Sequence, residues 1–140
     1  MALTKGVGKR TEMWRYRQFT LASGKKAFRN GLAVYDQSVG KMIPAETGAS
    51  QTDLFCLGLF AEDVDATSAD KLCNVRLKRE VEVTWLKNDV TNPVTANDIG
   101  KDVYGVDDET ASISSATSTR SVIGKAWAID ATRGVAVELS

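Results

Sequence analysis

The residues able to do chemistry are most informative here by what they omit. The chain contains no histidine, which removes the commonest general base and the commonest nitrogen ligand of zinc. Serine–histidine–aspartate and cysteine–histidine nucleophile sets are excluded with it. The two cysteines, Cys56 and Cys73, cannot build a four-ligand structural zinc site by themselves. Cys56 lies in an apolar run and Cys73 follows Leu72, so both read as reduced, buried thiols that pack like small apolar side chains. A phosphate-binding loop needs Gly, four residues, then Gly-Lys and Ser or Thr. Gly8-Lys9, Gly24-Lys25, Gly40-Lys41, Gly100-Lys101 and Gly124-Lys125 all lack the following hydroxyl and the earlier glycine. They read as turn chemistry, not as a nucleotide cradle or a repeat. The acidic runs Glu62-Asp63-Val64-Asp65 and Asp107-Asp108-Glu109 offer hard oxygen ligands. The first lacks the spacing and glycine of a calcium loop, and solvated turns are the reading of both. No catalytic residue, cofactor site or metal site is therefore assigned, and the chain is expected not to be an enzyme.

One constellation is left. Lys5, Lys9, Arg10, Trp14, Arg15, Tyr16 and Arg17 mix cations with aromatic rings. Such a mixture anchors protein interfaces through Arg and Trp, and it also grips single-stranded nucleic acid by charge and stacking. The third reading is an edge strand whose rings belong to the core. Protein docking is placed first among the three. Charge is divided in the same sense. Residues 1–30 hold eight bases and one acid, and residues 31–140 ten bases and seventeen acids. Such an asymmetry points to an interacting tail.

The elements that must position these groups are strands. Residues 1–12 are polar and carry no apolar period, so they read as an extended basic arm ahead of a single β domain over 13–140. Met13 to Leu21 is rich in bulky side chains with no helical stripe, hence a strand. Gly31 to Asp36 and Met42 to Pro44 form a hairpin about Ser38–Lys41. Leu54 to Ala61 is apolar on both faces, as a fully buried strand would be, and an acidic loop follows over Glu62 to Asp70. Val75, Leu77, Arg79, Val81, Val83 and Trp85 alternate with polar residues, the period of a long half-buried strand or of a hairpin bent near Lys78–Glu80. Arg79 on the apolar row marks a bend near Lys78–Glu80. Thr95 to Gly100 reads as one helical turn capped by Thr95. Val103–Val106 is a short strand, Thr110 to Ser121 a hydroxyl-rich stretch, and Val122–Asp130 with Val135–Leu139 a final hairpin. The resulting expectation is an all-β fold, a small jelly-roll-like sandwich or barrel with at most one short helical turn. No apolar run approaches the roughly 20 residues of a membrane helix, and the first residues do not form a secretory signal.

Several segments are similar to the capsid decoration, or cement, proteins of tailed bacteriophages. They are Met1-Ala2-Leu3-Thr4-Lys5, the hairpin Gly31–Asp36 with Gly40-Lys41 and Ile43-Pro44-Ala45, and above all Asn92–Tyr104 with Val106–Thr110 and Arg120–Lys125. The resemblance covers most of the chain from Gly31 onward. It implies a β-rich protein made in the host cytoplasm and bound in many copies to the capsid exterior. There it would bridge neighbouring major capsid subunits and help the shell resist the pressure of packed DNA. Members bind as dimers or trimers, and the homodimer is favoured because two-fold dimers are the commonest oligomers. No membrane partner is implied, and direct nucleic-acid contact is not expected. The alternative from another class is a single-stranded nucleic-acid-binding β-barrel.

Overall fold

The computed structural model describes residues 15–140. The described residues form twelve strands: β1 (Tyr16–Leu21), β2 (Lys26–Ala27), β3 (Leu32–Asp36), β4 (Lys41–Pro44), β5 (Leu54–Phe60), β6 (Val64–Asp65), β7 (Lys71–Leu77), β8 (Thr84–Asn88), β9 (Asp102–Gly105), β10 (Thr110–Ser112), β11 (Val122–Asp130) and β12 (Gly134–Leu139). Ten of them close into two five-stranded barrels, β1-β4-β3-β5-β7 and β10-β8-β12-β11-β9, while β2 and β6 form a separate ribbon. The all-β expectation holds, in a form more closed than a jelly roll. Closure disposes of the unpaired strand edges that invite aggregation.

The two rings follow one plan. In the first, the strand that comes first runs parallel to the third (β1 with β4), the third pairs with the second, the second with the fourth, the fourth with the fifth, and the fifth closes on the first. The second ring, taken as β8, β9, β10, β11 and β12, repeats every pairing and direction. The registers coincide as well. Gly58, Leu59 and Phe60 face Leu77, Arg76 and Val75, as Gly124, Lys125 and Ala126 face Leu139, Glu138 and Val137. Each fourth strand is bulged at the same place, where the pairing with the second strand skips Leu57 in one ring and Ile123 in the other.

The glycines beside those bulges show why. Gly58 and Gly124 have φ of +153° and +155°. A Cβ on either would stand 2.0 Å from the carbonyl oxygen of Arg76 or Glu138. Only glycine allows the backbones so close.

The sequence divides its apolar residues between two cores. Leu21, Ala33, Met42, Phe60, Cys73 and Val75 fill the first ring, and Ala27 and Ala66 beside the β2–β6 ribbon join that cluster. Leu32, Val34, Ile43, Cys56 and Leu59 alternate with these and point outward. They merge with Leu86, Val103, Ala126, Val135 and Val137 of the second ring in one larger cluster. The double-faced apolarity of β3 and β5 thus serves an inside and a junction. Burying each large aliphatic or aromatic side chain stabilises the fold by roughly 1.5–3 kcal/mol.

Expected elements shift in four places. Among the described residues three 3₁₀ turns occur, over Gln51–Asp53, Lys78–Glu80 and Ala96–Asp98, not one helical turn at most. The Lys78–Glu80 turn is the bend that Arg79 marked, and it breaks the alternating row into β7 and β8. The third is the expected turn, pinned by the Asp98 carboxylate, which accepts from the Thr95 N–H at 2.9 Å and hydroxyl at 3.0 Å. The acidic stretch Glu62–Asp70 contains β6, because Val64 and Asp65 find Ala27 and Lys26 to pair with. Gly124-Lys125 is no turn, since it lies within β11 at the bulge.

Candidate binding surface

Of the seven sequence-predicted contact residues, Lys5, Lys9, Arg10 and Trp14 lie outside the described residues. Tyr16 and Arg17 open β1, Arg15 precedes it, and strand alternation sends Tyr16 and Arg17 to different sides. Tyr16 points to solvent, 56% exposed. Arg15 is exposed, with its Nε 4.0 Å from Glu80 Oε2, a separation at which an exposed pair contributes little. Arg17 turns toward the ring's mouth, its guanidinium 4.9 Å from the centre of the Phe19 ring. Phe19 lies 6.0 Å from Tyr35, the two rings tilted by 55°, an arrangement favoured for aromatic pairs.

Together Arg17, Phe19, Thr20, Tyr35, Gly40 and Leu57 line a recess of about 420 Å³. A neighbouring recess of about 300 Å³ is lined by Leu57, Leu77, Lys78 and Arg79. Both open at the same end of the first ring, where β1 and β5 begin and β7 ends. The opposite end carries the β2–β6 ribbon. The open end therefore combines an apolar floor, aromatic walls and a rim of guanidinium and ammonium groups. Such groups grip carboxylates or phosphates, and the rings supply stacking faces. Sequence reasoning found Arg17 but not Tyr35, Leu57, Leu77 or Lys78, which reach the mouth only through ring closure. The misplaced-looking Arg79 was the one available signal.

A second exposed aromatic surface lies on the second ring. Arg133 stacks 4.1 Å above Trp85, and the Trp127 Nε1–H donates to Glu138. Trp127 is a half-exposed residue of β11 near the β-bulge there.

The remaining reactive groups are held in structural roles. Cys56 and Cys73 are buried free thiols on opposite sides of the first ring's wall. Burial pushes both up to about 11, against the pull of nearby groups such as Lys78 on Cys56. The acidic run beside β6 is spent on chain geometry. Asp63 accepts the Arg29 N–H at 2.8 Å, Glu62 the Asn74 amide at 3.1 Å, and Asp65 the Thr67 N–H at 2.9 Å. Asp107 closes its own turn onto the Glu109 N–H at 2.9 Å. Burial, reinforced by its acidic neighbours, raises Asp108. Asp89 is 8% exposed. Burial opposes its charge, but hydrogen bonds from Ser112, Thr91 and Asn92 and the nearby Arg120 outweigh it and hold its carboxyl below the usual range.

No family model, no curated protein and no solved structure matches this chain.

Proposed function

We propose that this chain is a structural virion protein, a capsid decoration protein that binds the outer surface of a tailed-phage head, bridges major capsid subunits and stiffens the shell. The observation that best supports the reading is the build of the molecule. Two closed rings share one apolar cluster, forming one body joined through its core. That body carries a basic, aromatic recess where β1 begins. A bridging ligand must resist deformation while gripping its neighbours, and a stiff body with localised anchors suits that task better than catalysis. On the shell the partners would be the major capsid protein and a second copy of this chain, as a homodimer in preference to a trimer. Its site would be the capsid exterior after synthesis in the host cytoplasm.

The test is occupancy. Purified chain is added to shells stripped of decoration, and co-sedimentation and rupture temperature are measured. Stoichiometric binding with a higher rupture temperature is expected, because a ligand stabilises the state it binds by mass action. Shells that neither retain the protein nor gain resistance overturn the reading. The stack of Arg17 on Phe19 beside Tyr35 favours one alternative, a module for single-stranded nucleic acid. Tight binding of a thymidine oligonucleotide, weakening steeply with salt, together with empty shells, would select it.

A further inference from the structure

The two rings match strand for strand, so each wall of one can be read against the same wall of the other. The mouth of the second ring is closed by the first ring, which serves as its lid. A Cβ on Gly105 in that mouth would stand 3.0 Å from Ala45 Cβ and 3.7 Å from Leu32 Cδ1 of the first ring. The two exposed indoles of the second ring lie elsewhere, on the outer wall that β8, β12 and β11 form.

Strand pairing lays this wall out in rows. Trp85, Ala136 and Ala128 stand side by side in the middle row. Trp85 is 37% exposed, and Ala136 is buried yet belongs to neither core cluster. Trp127, the residue that the pairing skips at the bulge, is 53% exposed and donates its indole N–H to Glu138. On one side of the middle row Glu138 is paired with Lys125. On the other side Gly134, which follows Arg133, is paired with Asp130. The ring plan does not call for these indoles. Counted from Val75 and Val137, Trp85 answers to Gln18 and Ala136 to Asn74. A polar pair closes the first ring at the same place.

We propose that this wall is a self-association face, on which two copies pack across a two-fold axis running along the Trp85–Ala136–Ala128 row. The proposal gives the homodimer named above its surface and rests on that reading for the partner alone. A two-fold contact sets a patch against its own image, so the patch must complement itself. The rotation lays each flanking row over the other flanking row of the second copy. Lys125 then meets the partner's Asp130, and Glu138 meets the partner's Arg133, each twice by symmetry. The order of charge is reversed between the two rows, as self-complementarity requires. The cations keep their partners within the chain, Lys125 at 2.8 Å from Asp102 and Arg133 at 3.6 Å from Asp130. An ammonium has three donors and a guanidinium five, so a second carboxylate joins each without breaking the first pair. Lys87, held 2.7 Å from Glu109, ends its row over the partner's Val83. The Lys101–Asp98 pair, Glu82 and Asp107 belong to neither row. Arg133 also argues against a base or a sugar as occupant, because its guanidinium already lies 4.1 Å over the Trp85 ring. At roughly 250 Å² for a tryptophan, the exposed parts of Trp85 and Trp127 give an apolar centre of about 225 Å². A standard interface buries about 800 Å² on each side, so the ionic rows must supply the rest, and the dimer is a weak one.

Sedimentation of the full chain over a concentration series reads the dimer. Trp85→Gln with Ala136→Asn, the residues the first ring carries, should weaken it at least about tenfold. If that variant unfolds, Trp127→Ala at the exposed bulge serves instead. Lys125→Glu should weaken it by a similar factor, since the new carboxylate faces the partner's Asp130. Ala128 lies on the axis, so Ala128→Cys should cross-link two copies under a mild oxidant, and Ser38→Cys should not. A chain that stays monomeric up to about 1 mM, a trimer, or a dimer indifferent to these substitutions overturns the wall. So does a thymidine oligonucleotide that shifts the Trp85 and Trp127 indole N–H signals at lower concentration than self-association does. A dimer through this wall without shell binding removes the decoration reading and leaves the wall. Shell binding by a chain that neither dimerises nor cross-links at Ala128→Cys removes the wall alone.

Discussion

Replacing Gly58 or Gly124 by alanine tests the equivalence of the two rings at its tightest point. A Cβ at either position would lie 2.0 Å from a carbonyl oxygen of the adjacent strand. Restoring a tolerable separation of about 3 Å requires β5 and β7, or β11 and β12, to part by about 1 Å, an overpacking that costs roughly 1–3 kcal/mol. The φ values near +155° add strain of roughly 1–3 kcal/mol for a residue with a side chain. Each variant should therefore lose about 2–6 kcal/mol, a large share of the roughly 5–15 kcal/mol that holds an average domain together. Gly48 provides the control. Its φ is +122° with nothing within 4 Å of an added Cβ, so Gly48→Ala carries the strain without the collision. Urea unfolding is the assay, read as a fall in midpoint at unchanged slope. Gly58→Ala and Gly124→Ala should fall by similar amounts and both clearly more than Gly48→Ala. If either ring glycine accepts alanine within about 1 kcal/mol of the parent, the close approach and the shared plan built on it are wrong.

Two further outcomes follow from buried ionisable groups. Both thiols are raised from 9.0 to about 11 in the folded chain, so the folded state holds protons that the unfolded state releases. The stability they contribute is complete below about pH 9 and is lost as pH rises toward about 11. Cys56→Ala should flatten the alkaline limb of stability against pH measured by urea unfolding, and an unchanged limb would refute this. Asp89 has the opposite sign. Its lowered folded value gives stability that is present above the ordinary aspartate range and lost as pH falls through the folded value. Asp89→Ala strips acceptors from the Thr91 and Asn92 N–H groups and should cost about 2 kcal/mol at neutral pH. A thermal midpoint equal to the parent's would contradict it.

The strands were legible where one face or both had a single destiny. The hairpin at Gly31–Pro44 and the final pair over Val122–Leu139 appear, because alternation and turn residues act over a few positions; the run from Leu54 appears as β5, but not fully buried, since Phe55 is 48% exposed and Leu57 half-buried. The duplication left no such trace. The equivalent residues share a role and rarely an identity: Phe60 answers to Ala126, Met42 to Ala111, Leu21 to Asn88, Tyr35 to Gly105. Gly58 and Gly124, Val75 and Val137, and Leu77 and Leu139 are the identical pairs in this stretch, and at the glycines backbone approach admits no substitute. The irregularly spaced Gly-Lys pairs carry no sign of the repeat, because turns differ between the rings while the pairing plan does not. The recess was half legible for a related reason. Arg17 announced itself by its basic and aromatic neighbours, but Tyr35, Leu57 and Leu77 come from three other strands and meet only when the ring closes.

That divergence also sets apart the outer faces of the two rings. The packing of one ring on the next is head-to-tail, with a β surface of the first set on the mouth of the second, and a heterologous contact of this kind propagates unless something ends it. The matching face of the second ring differs chemically from that of the first. At the positions of the Leu32–Leu59 pair the second ring holds the exposed Asp102–Lys125 ion pair. At the position of Ile43 it holds Ser112, fully buried, whose hydroxyl is 3.2 Å from Asn92 O. Docking a further mouth there would strip water from two charges, which their mutual attraction repays only in favourable geometry. The hydroxyl-rich stretch gains a reason as well. Three consecutive residues, Ala116, Thr117 and Ser118, take positive φ, and the carbonyls of Ser118 and Thr119 accept from Gln51 and Gly48 of the first ring. Left-handed backbone at non-glycine positions costs roughly 1–2 kcal/mol per residue, and here it aims acceptors at the edge of the lid. Arg120 completes the joint, with its Nε 2.8 Å from Thr47 Oγ1 and its Nη1 3.0 Å from Ser114 O. Polar groups thus mark the outer face of the second ring and rivet the joint between the two.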